Sequence, residues 1–398
     1  VREGWKTHRL EEVCREITDG SHFSPKTADK GFPYVTVRDI DNDLIDFSNC
    51  KFIAAADYRQ LLRNGCKPHK GDVLFSKDGT VGKVALIDYE KEFVVLSSLA
   101  IVRPNPSFID SAFLKWVLKS PAFLDEALGK KTGAAIRRII LRNLKSIRIP
   151  VPPLAEQQRI VGLLDEAFES LATVKANAEK NLQNARALFE SHLQSVFTQR
   201  GSGWEQKTLE EIALTFGRGK SKHRPRNAPH LYGGKYPFVQ TGDIRNAVHT
   251  IAEYSQTYSE EGLAQSKLWP KGTVCITIAA NIAETAILGF DACFPDSVIG
   301  IVVNPREAEV GFVEYLLQSF KSRIQAKGKG SAQANINMGT FEQERFPFPP
   351  VMEQRQIVAT LDNLREETQR LAHIYEQKLA ALEELKKSLL HQAFSGQM

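Results

Sequence analysis

The residues that come nearest to a chemical motif in this sequence each fall short of one. Gly217-Arg218-Gly219-Lys220-Ser221 has the ending of a phosphate-binding loop, in which backbone amides and a lysine cradle phosphates. The motif's first glycine, required six residues before Lys220, is Leu214 here, so the spacing fails. Lys131-Thr132-Gly133 matches one of the three segments of a serine β-lactamase site, but the accompanying Ser-Asp-Asn is missing. No GxGxxG follows a strand-like run, and there is no HExxH. Histidines 8, 22, 69, 192, 223, 230, 249, 373 and 391 lack the spacing of metal ligands. The Asn/Asp-Pro-Pro-Tyr/Phe tetrapeptide that methylates amino groups of bases is absent, and Asn304-Pro305-Arg306 reads as a turn. The sequence therefore assigns no catalytic residue, no metal ligand and no cofactor, and the chain reads as something other than an enzyme.

Charge clusters point to binding instead. Arg218, Lys220, Lys222, His223, Arg224 and Arg226 fall within nine positions with few apolar neighbours, as in a loop that contacts phosphates. An earlier cluster holds Lys130, Lys131, Arg137 and Arg138, followed by Arg142, Lys145 and Arg148. A later one holds Lys321, Arg323, Lys327 and Lys329, followed by a polar run over 331–337 whose Asn and Gln amides suit adenine edges. The candidate DNA-binding residues are Lys130, Lys131, Arg137, Arg138, Arg218, Lys220, Lys222, Arg224, Arg226, Lys327 and Lys329. A solvated charged face has the same composition; recurrence at comparable places along the chain favours contact. Asp78-Gly79-Thr80-Val81-Gly82 follows a strand-like run, but its counterpart Ala280-Asn281-Ile282-Ala283 lacks the glycines. That pair reads as a structural turn rather than a shared phosphate cradle.

Such loops need a scaffold. With 398 residues the chain exceeds one ordinary core, and two or three domains are expected. A hydrophobic fraction of 42% with 25% charged residues places it among soluble globular proteins. No run approaches the 18 or so apolar residues of a membrane span, so no membrane partner is expected. The charged opening VREGWKTHRLEEV does not read as a signal peptide. Cysteines 14, 50, 66, 275 and 293 are few, odd in number and never spaced CxxC, which fits a reducing cytoplasm. A net charge of +5 permits an anionic partner without requiring one.

The dominant pattern is internal duplication. Gly4-Trp5 with Leu10-Glu11-Glu12-Val13 returns as Gly203-Trp204 with Leu209-Glu210-Glu211-Ile212. Pro33-Tyr34-Val35 and Lys70-Gly71-Asp72-Val73 return as Pro237-Phe238-Val239 and Lys271-Gly272-Thr273-Val274. Glu156-Gln157, Leu164-Asp165 and Phe197 return as Glu353-Gln354, Leu361-Asp362 and Phe394, all at an offset of 197. The offset drifts in the front parts, so those have diverged in their loops. Each half is thus a globular module and a helical module: 1–150 and 151–200, then 201–347 and 348–398.

The globular modules read as mixed α/β. Segments 32–37, 73–76, 84–87 and 93–102 have strand composition, and 113–118 with 123–128 look helical. In the second module 273–278 and 297–303 match the strands, and 310–324 matches the helix. In the helical modules apolar or small residues recur every three or four positions. They stand at 160, 164, 167, 171, 174, 178, 182, 185, 189, 193 and 196, and at 357, 361, 364, 371, 375, 379, 382, 390 and 393, with Thr368 and Lys386 imperfect. No proline interrupts either run, so each predicts a helix of 40 or more residues, roughly 60 Å long. Packing on each other as an antiparallel coiled coil covers both stripes and gives the duplicated chain an internal pseudo-two-fold axis.

On these residues the chain resembles the DNA-specificity subunits of type I restriction-modification systems along its whole length. The specific marks are Ile149-Pro150-Val151-Pro152-Pro153-Leu154-Ala155-Glu156-Gln157-Gln158-Arg159-Ile160-Val161 and Phe346-Pro347-Phe348-Pro349-Pro350-Val351-Met352-Glu353-Gln354-Arg355-Gln356-Ile357-Val358, with the paired Gly-Trp openings. The resemblance implies that the globular modules are target recognition domains reading the two halves of a gapped site on double-stranded DNA. The helices would be spacers that fix the gap. Two modification subunits using S-adenosylmethionine, and two ATP-dependent restriction subunits, would be the protein partners. Leu154, Glu156, Gln157, Ile160, Val351, Glu353, Gln354 and Ile357 would contact subunits, with Glu156, Gln157, Glu353 and Gln354 also suited to helix capping. Alternatives of other kinds are a specificity module whose modification and cutting functions share one partner chain, and a duplicated adaptor that binds only proteins.

Overall fold

The structure, a computed structural model, describes residues 4–129, 138–199, 201, 203–223, 225–279, 281–328, 336, 338–342 and 344–398. The chain divides into two compact units, one of Val1–Glu179 with Gln377–Met398 and one of Lys180–Glu376.

In the first unit β1 (Lys6–Arg9) leads to β2 (Cys14–Asp19), and β3 (Val73–Ser76), β4 (Val84–Leu86) and β5 (Leu99–Pro104) complete an antiparallel sheet in the order β2-β5-β3-β4. β3 is buried along its whole length because its side chains alternate between two cores. Val73 and Phe75 pack with Ala100 and Val102 under the helices, while Leu74 packs with Leu99 and Ile101 on the other face. The covering helices are α1 (Ser111–Lys119), started by the Asp110 carboxylate accepting from the amides of Ala112 and Phe113, and α2 (Pro121–Gly129). A short α3 (Leu141–Lys145) follows, and β6 (Arg148–Val151) pairs antiparallel with β1, tying the end of the module to its beginning.

The second unit repeats this plan. β7 (Glu205–Lys207), β8 (Ala213–Arg218), β9 (Thr250–Ile251), β10 (Val274–Thr277), β11 (Thr285–Leu288) and β12 (Val298–Val303) give a sheet of order β8-β12-β10-β11-β9, and β13 (Phe346–Phe348) pairs with β7. Two of the expected elements are broken where side chains must be buried. The strand expected over 93–102 is interrupted after Val95, because the chain turns to give the Leu96 amide to Val35 and the Ser97 amide to Ser21. The helix expected over 310–324 divides into α5 (Val310–Ser319) and α6 (Lys321–Gly328) at Phe320, whose ring packs edge-on to Phe346 at 5.4 Å.

After α7 (Met338–Glu342) the last helix is α8 (Val351–Ser395), the counterpart of α4 (Leu154–Thr198); each has 45 residues. In the first unit Arg159 donates to the Met398 carbonyl at 3.0 Å and Lys175 pairs with Glu383 at 2.8 Å. In the second, Arg186 pairs with Glu376 at 2.7 Å, and Leu193 and Phe197 share a core with Leu361. Rising numbers on α4 meet falling numbers on α8, so the packing is antiparallel. Ile160, Leu164, Leu171, Ala178, Ala185 and Leu193 are buried as the periodicity predicts. Val174 and Leu371 are not: each is 37% exposed, because a single partner helix covers a stripe narrower than the three-and-four pattern marks out. Arg365 and Thr368 are buried where the second pattern is imperfect.

Candidate nucleic-acid interface

The globular modules are seated on the long helices by the same few residues in both units. Gln157, in the first turn of α4, is fully buried; its Oε1 accepts the Asp110 amide at 2.8 Å, and its Nε2 donates to Phe108 O at 2.9 Å and Pro152 O at 2.8 Å. Gln354 on α8 does the same with the Glu309 amide, Glu307 O and Pro349 O. Two turns on, Asp165 takes the Trp116 indole N–H at 2.8 Å, and Asp362 takes the Tyr315 hydroxyl. Sequence reading marked both glutamines and both aspartates as repeats without seeing that they hold the modules.

This seating occupies part of the expected subunit-contact set. Gln157, Ile160 and Gln354 face inward with no exposed surface, because the glutamine amides are spent on buried backbone and Ile160 lies in the core. Ile357 and Val351 are half-buried, Ile357 against the second core. Glu156 is held by Arg159 one turn on at 2.7 Å, and Glu353 accepts the Trp204 indole N–H at 2.9 Å. Leu154, at 39% exposure, is the exposed residue of the set.

The basic loop of the second unit is pinned by its backbone. Gly219, read above as part of an incomplete phosphate motif, has a different reason to be glycine. A Cβ there would stand 2.3 Å from Phe294 O, and Gly20 at the matching place would stand equally close to Val95 O. Ser266 donates to Lys220 O at 2.8 Å, and Gln265 Oε1 accepts the amides of Lys222 and His223. Lys220 and Lys222 are exposed, with no ion pair among the described residues. Arg218 and Arg226 converge on Asp296. Arg218 donates to its carbonyl, and Arg226 Nη2 lies 2.9 and 2.8 Å from its two carboxylate oxygens. Arg226 is therefore partly neutralised, whereas the two lysines carry no such counter-charge among the described residues.

Lys267, which no sequence signal marked, joins them. Its ammonium lies 3.6 Å over the Trp269 ring, and burial together with the nearby Lys220 charge holds its pKa below the usual lysine value. Arg224 and Lys329 lie outside the described residues, as does the side chain of Lys327 at the end of α6.

In the first unit Lys130, Lys131 and Arg137 lie outside the described residues, and Arg138 is exposed, 3.7 Å from Asp78. Arg142, Lys145 and Arg148 come together with Arg9, from the paired strand, around an open depression of about 770 Å³. The turns beside these tracts match. Ser76 Oγ donates to Thr80 O at 2.6 Å and accepts the Lys83 amide at 2.7 Å; Thr277 Oγ1 donates to Asn281 O and accepts the Glu284 amide at 3.0 Å. Gly82 (φ +98°) is matched by Ala283 (φ +62°), so the turn survives loss of its glycine because the hydroxyl knots it. Ile139 donates its amide to Lys77 O and Ile336 to Ile278 O, which anchors both basic tracts to this turn.

Little here suits covalent chemistry. All five cysteines are unpaired; burial pushes the Cys14 thiol up to about 12 and raises the other four, so none is a ready nucleophile near neutral pH. Among the described residues no group of three or more His, Cys, Asp or Glu is placed to hold a metal, and no helix is long and apolar enough to cross a membrane.

Comparison with known proteins agrees with the duplication. A family model described as the type I restriction modification DNA specificity domain matches twice, over 2–183 and 201–383. The chain is similar to a putative type I restriction enzyme MjaX specificity subunit of Methanocaldococcus jannaschii, at 24% identity over all of this chain and 94% of that one. It is similar to the EcoKI specificity subunit of Escherichia coli at 22% identity, over all of this chain and 89% of that one. Among solved structures, a chain from a study of complex assembly and conformational transition in the type I R-M system superposes with a TM-score of 0.78 at 21% identity. That match covers 99% of this chain and 98% of the other. The HsdS subunit of Thermoanaerobacter tengcongensis superposes with a TM-score of 0.65 at 21% identity, over all of this chain and 98% of the other.

Proposed function

The chain belongs to the type I restriction-modification DNA specificity family, and we propose that it reads a gapped DNA target as two half-sites, one per globular module. As a member of that family it recognises DNA and has no catalysis of its own. On this reading 1–150 and 201–347 are the target recognition domains, and 151–200 and 348–398 are the spacers that fix the gap. The observation that carries the proposal is the matching seating of both modules, Gln157 with Asp165 and Gln354 with Asp362, each set at one register on a continuous helix. A reader clamped to a 45-residue helix of about 68 Å has its position set by helix geometry rather than by a tether.

Double-stranded DNA is then gripped through phosphates by Lys220, Lys222 and Lys267, and by the basic tract at Arg138 in the other module, while side chains of the diverged loops read bases. Two modification subunits, which bring S-adenosylmethionine, dock on the chain, and two ATP-dependent restriction subunits complete the assembly. The work is done in the cytoplasm. The test is to map N6-methyladenine across the genome of the source strain with and without this gene. Loss of one bipartite motif is the expected result. An insertion of whole helical turns at 197–201 should then lengthen the gap and keep both half-sites. An unchanged methylation map with an active modification subunit present would refute the reading.

A further inference from the structure

Resting on the reading above, we propose that a cavity at Arg365 is a docking notch for a carboxylate of the modification subunit. Arg365 lies on α8 within the second unit and is only 9% exposed. Its guanidinium carbon sits 4.9 Å from the Phe189 ring centre and 4.4 Å from that of Tyr315, two rings that stand 6.0 Å apart, so the group lies against both of them. Its Nη2 is buried without a hydrogen-bond acceptor, and no ion pair reaches it among the described residues. The neighbouring acids are engaged elsewhere: Asp362 accepts from Tyr315, and Glu314 from His249, Thr285 and Gln318. Aromatic faces offset part of the lost hydration of a cation but supply no in-plane acceptor, and a buried guanidinium left so is costly.

The cavity measures about 250 Å³ and is lined by Arg365, Arg186, Phe189, Glu190, Gln318 and Gln369, with other residues of the same unit. That volume admits an acidic side chain. A cavity of this size takes one side chain rather than a run of phosphates, and none of the lining residues belongs to the basic loop 218–226, so a protein carboxylate fits better than nucleic acid.

Duplication supplies the internal control. At the offset of 197 the residue matching Arg365 is Phe168, which packs on Trp116 with ring centres 4.5 Å apart. The seating bonds of Trp116 and Tyr315 are alike, so the two repeats share this architecture while the second holds an expensive cation where the first holds an inexpensive ring. The exchange is accounted for when a partner's anion completes the site, and it makes the two docking positions chemically different.

The experiment uses the full chain and the modification subunit encoded with it. Arg365→Phe installs the first repeat's residue, and Arg365→Met is a second, unbranched replacement. Affinity is measured by titration at low and high salt, and the melting temperature of the free chain is recorded. Both variants are expected to bind at least roughly 30-fold more weakly, with less salt dependence, while the free chain melts no lower than the parent. Unchanged affinity, with the cavity holding water only, would overturn the proposal. So would a weaker complex that merely tracks a lower melting temperature, since packing would then explain both. Failure of the parent chain to bind the modification subunit would instead overturn the partner assignment on which the proposal rests.

Discussion

Replacing Gln157 by alanine removes a side chain that touches no ligand, yet the cost should be large. Three hydrogen bonds disappear from a fully buried site: one accepted from the Asp110 amide, and two donated to Phe108 O and Pro152 O. An unpaired buried amide costs about 1–3 kcal/mol, and each carbonyl somewhat less because it keeps a second lone pair, so roughly 3 kcal/mol is expected. The loss falls on the loop whose Asp110 also starts α1, so the α1 amides should exchange faster. Urea unfolding of the full chain with site-resolved hydrogen exchange measures both effects. Exchange should quicken in the first unit and stay unchanged in the second. Gln354→Ala should mirror this in the second unit with a slightly smaller loss, since its Nε2 reaches Glu307 O at 3.4 Å against 2.9 Å for the matching bond. Gln157→Glu keeps the acceptor but loses both donated bonds and buries a charge, so it should be no better than alanine. If both alanine variants stay within about 0.5 kcal/mol of the parent, the seating argument is wrong.

Three further outcomes follow from the same geometry. Replacing Lys220 and Lys222 together by alanine should lower the slope of log affinity against log salt for target DNA by roughly 2, at about 0.9 per phosphate contact, and leave the preferred sequence unchanged. Gly82→Ala should destabilise the first unit by about 1–2 kcal/mol in thermal unfolding, because the site has φ +98° and the new Cβ would stand 2.9 Å from Leu124 Cδ2. The Glu383 carboxyl is held below its usual range by the Lys175 hydrogen bond and then by Lys386. Its stabilisation is therefore complete above the ordinary glutamate pKa and is lost as pH falls through the lowered value; with both side chains well exposed it amounts to about 0.5 kcal/mol. Melting of Lys175→Met should thus differ slightly from the parent near neutrality and converge with it in acid.

The sequence by itself determined the duplication and the two long helices, and set the expectation of module boundaries at the Pro-rich joints. Those features are one-dimensional: a repeat offset, a proline and a period of three and four are properties of order along the chain. It also marked Gln157, Asp165, Gln354 and Asp362 as repeated, and Lys220 and Lys222 as cations in a loop. Tertiary structure decided what those residues do. The glutamines turn inward because the loops at 108 and 307 come to them from about 50 residues away, a contact that spacing cannot encode. Asp296 takes the charge of Arg226 across 70 positions, and Lys267 reaches the lysines only because its segment pairs with theirs. Breaks at Val95 and Phe320 arise where a buried side chain or a backbone partner outweighs local propensity. A long helix obeys its own sequence, whereas a binding surface is assembled from distant segments, and the energy that assembles it lies in contacts among them.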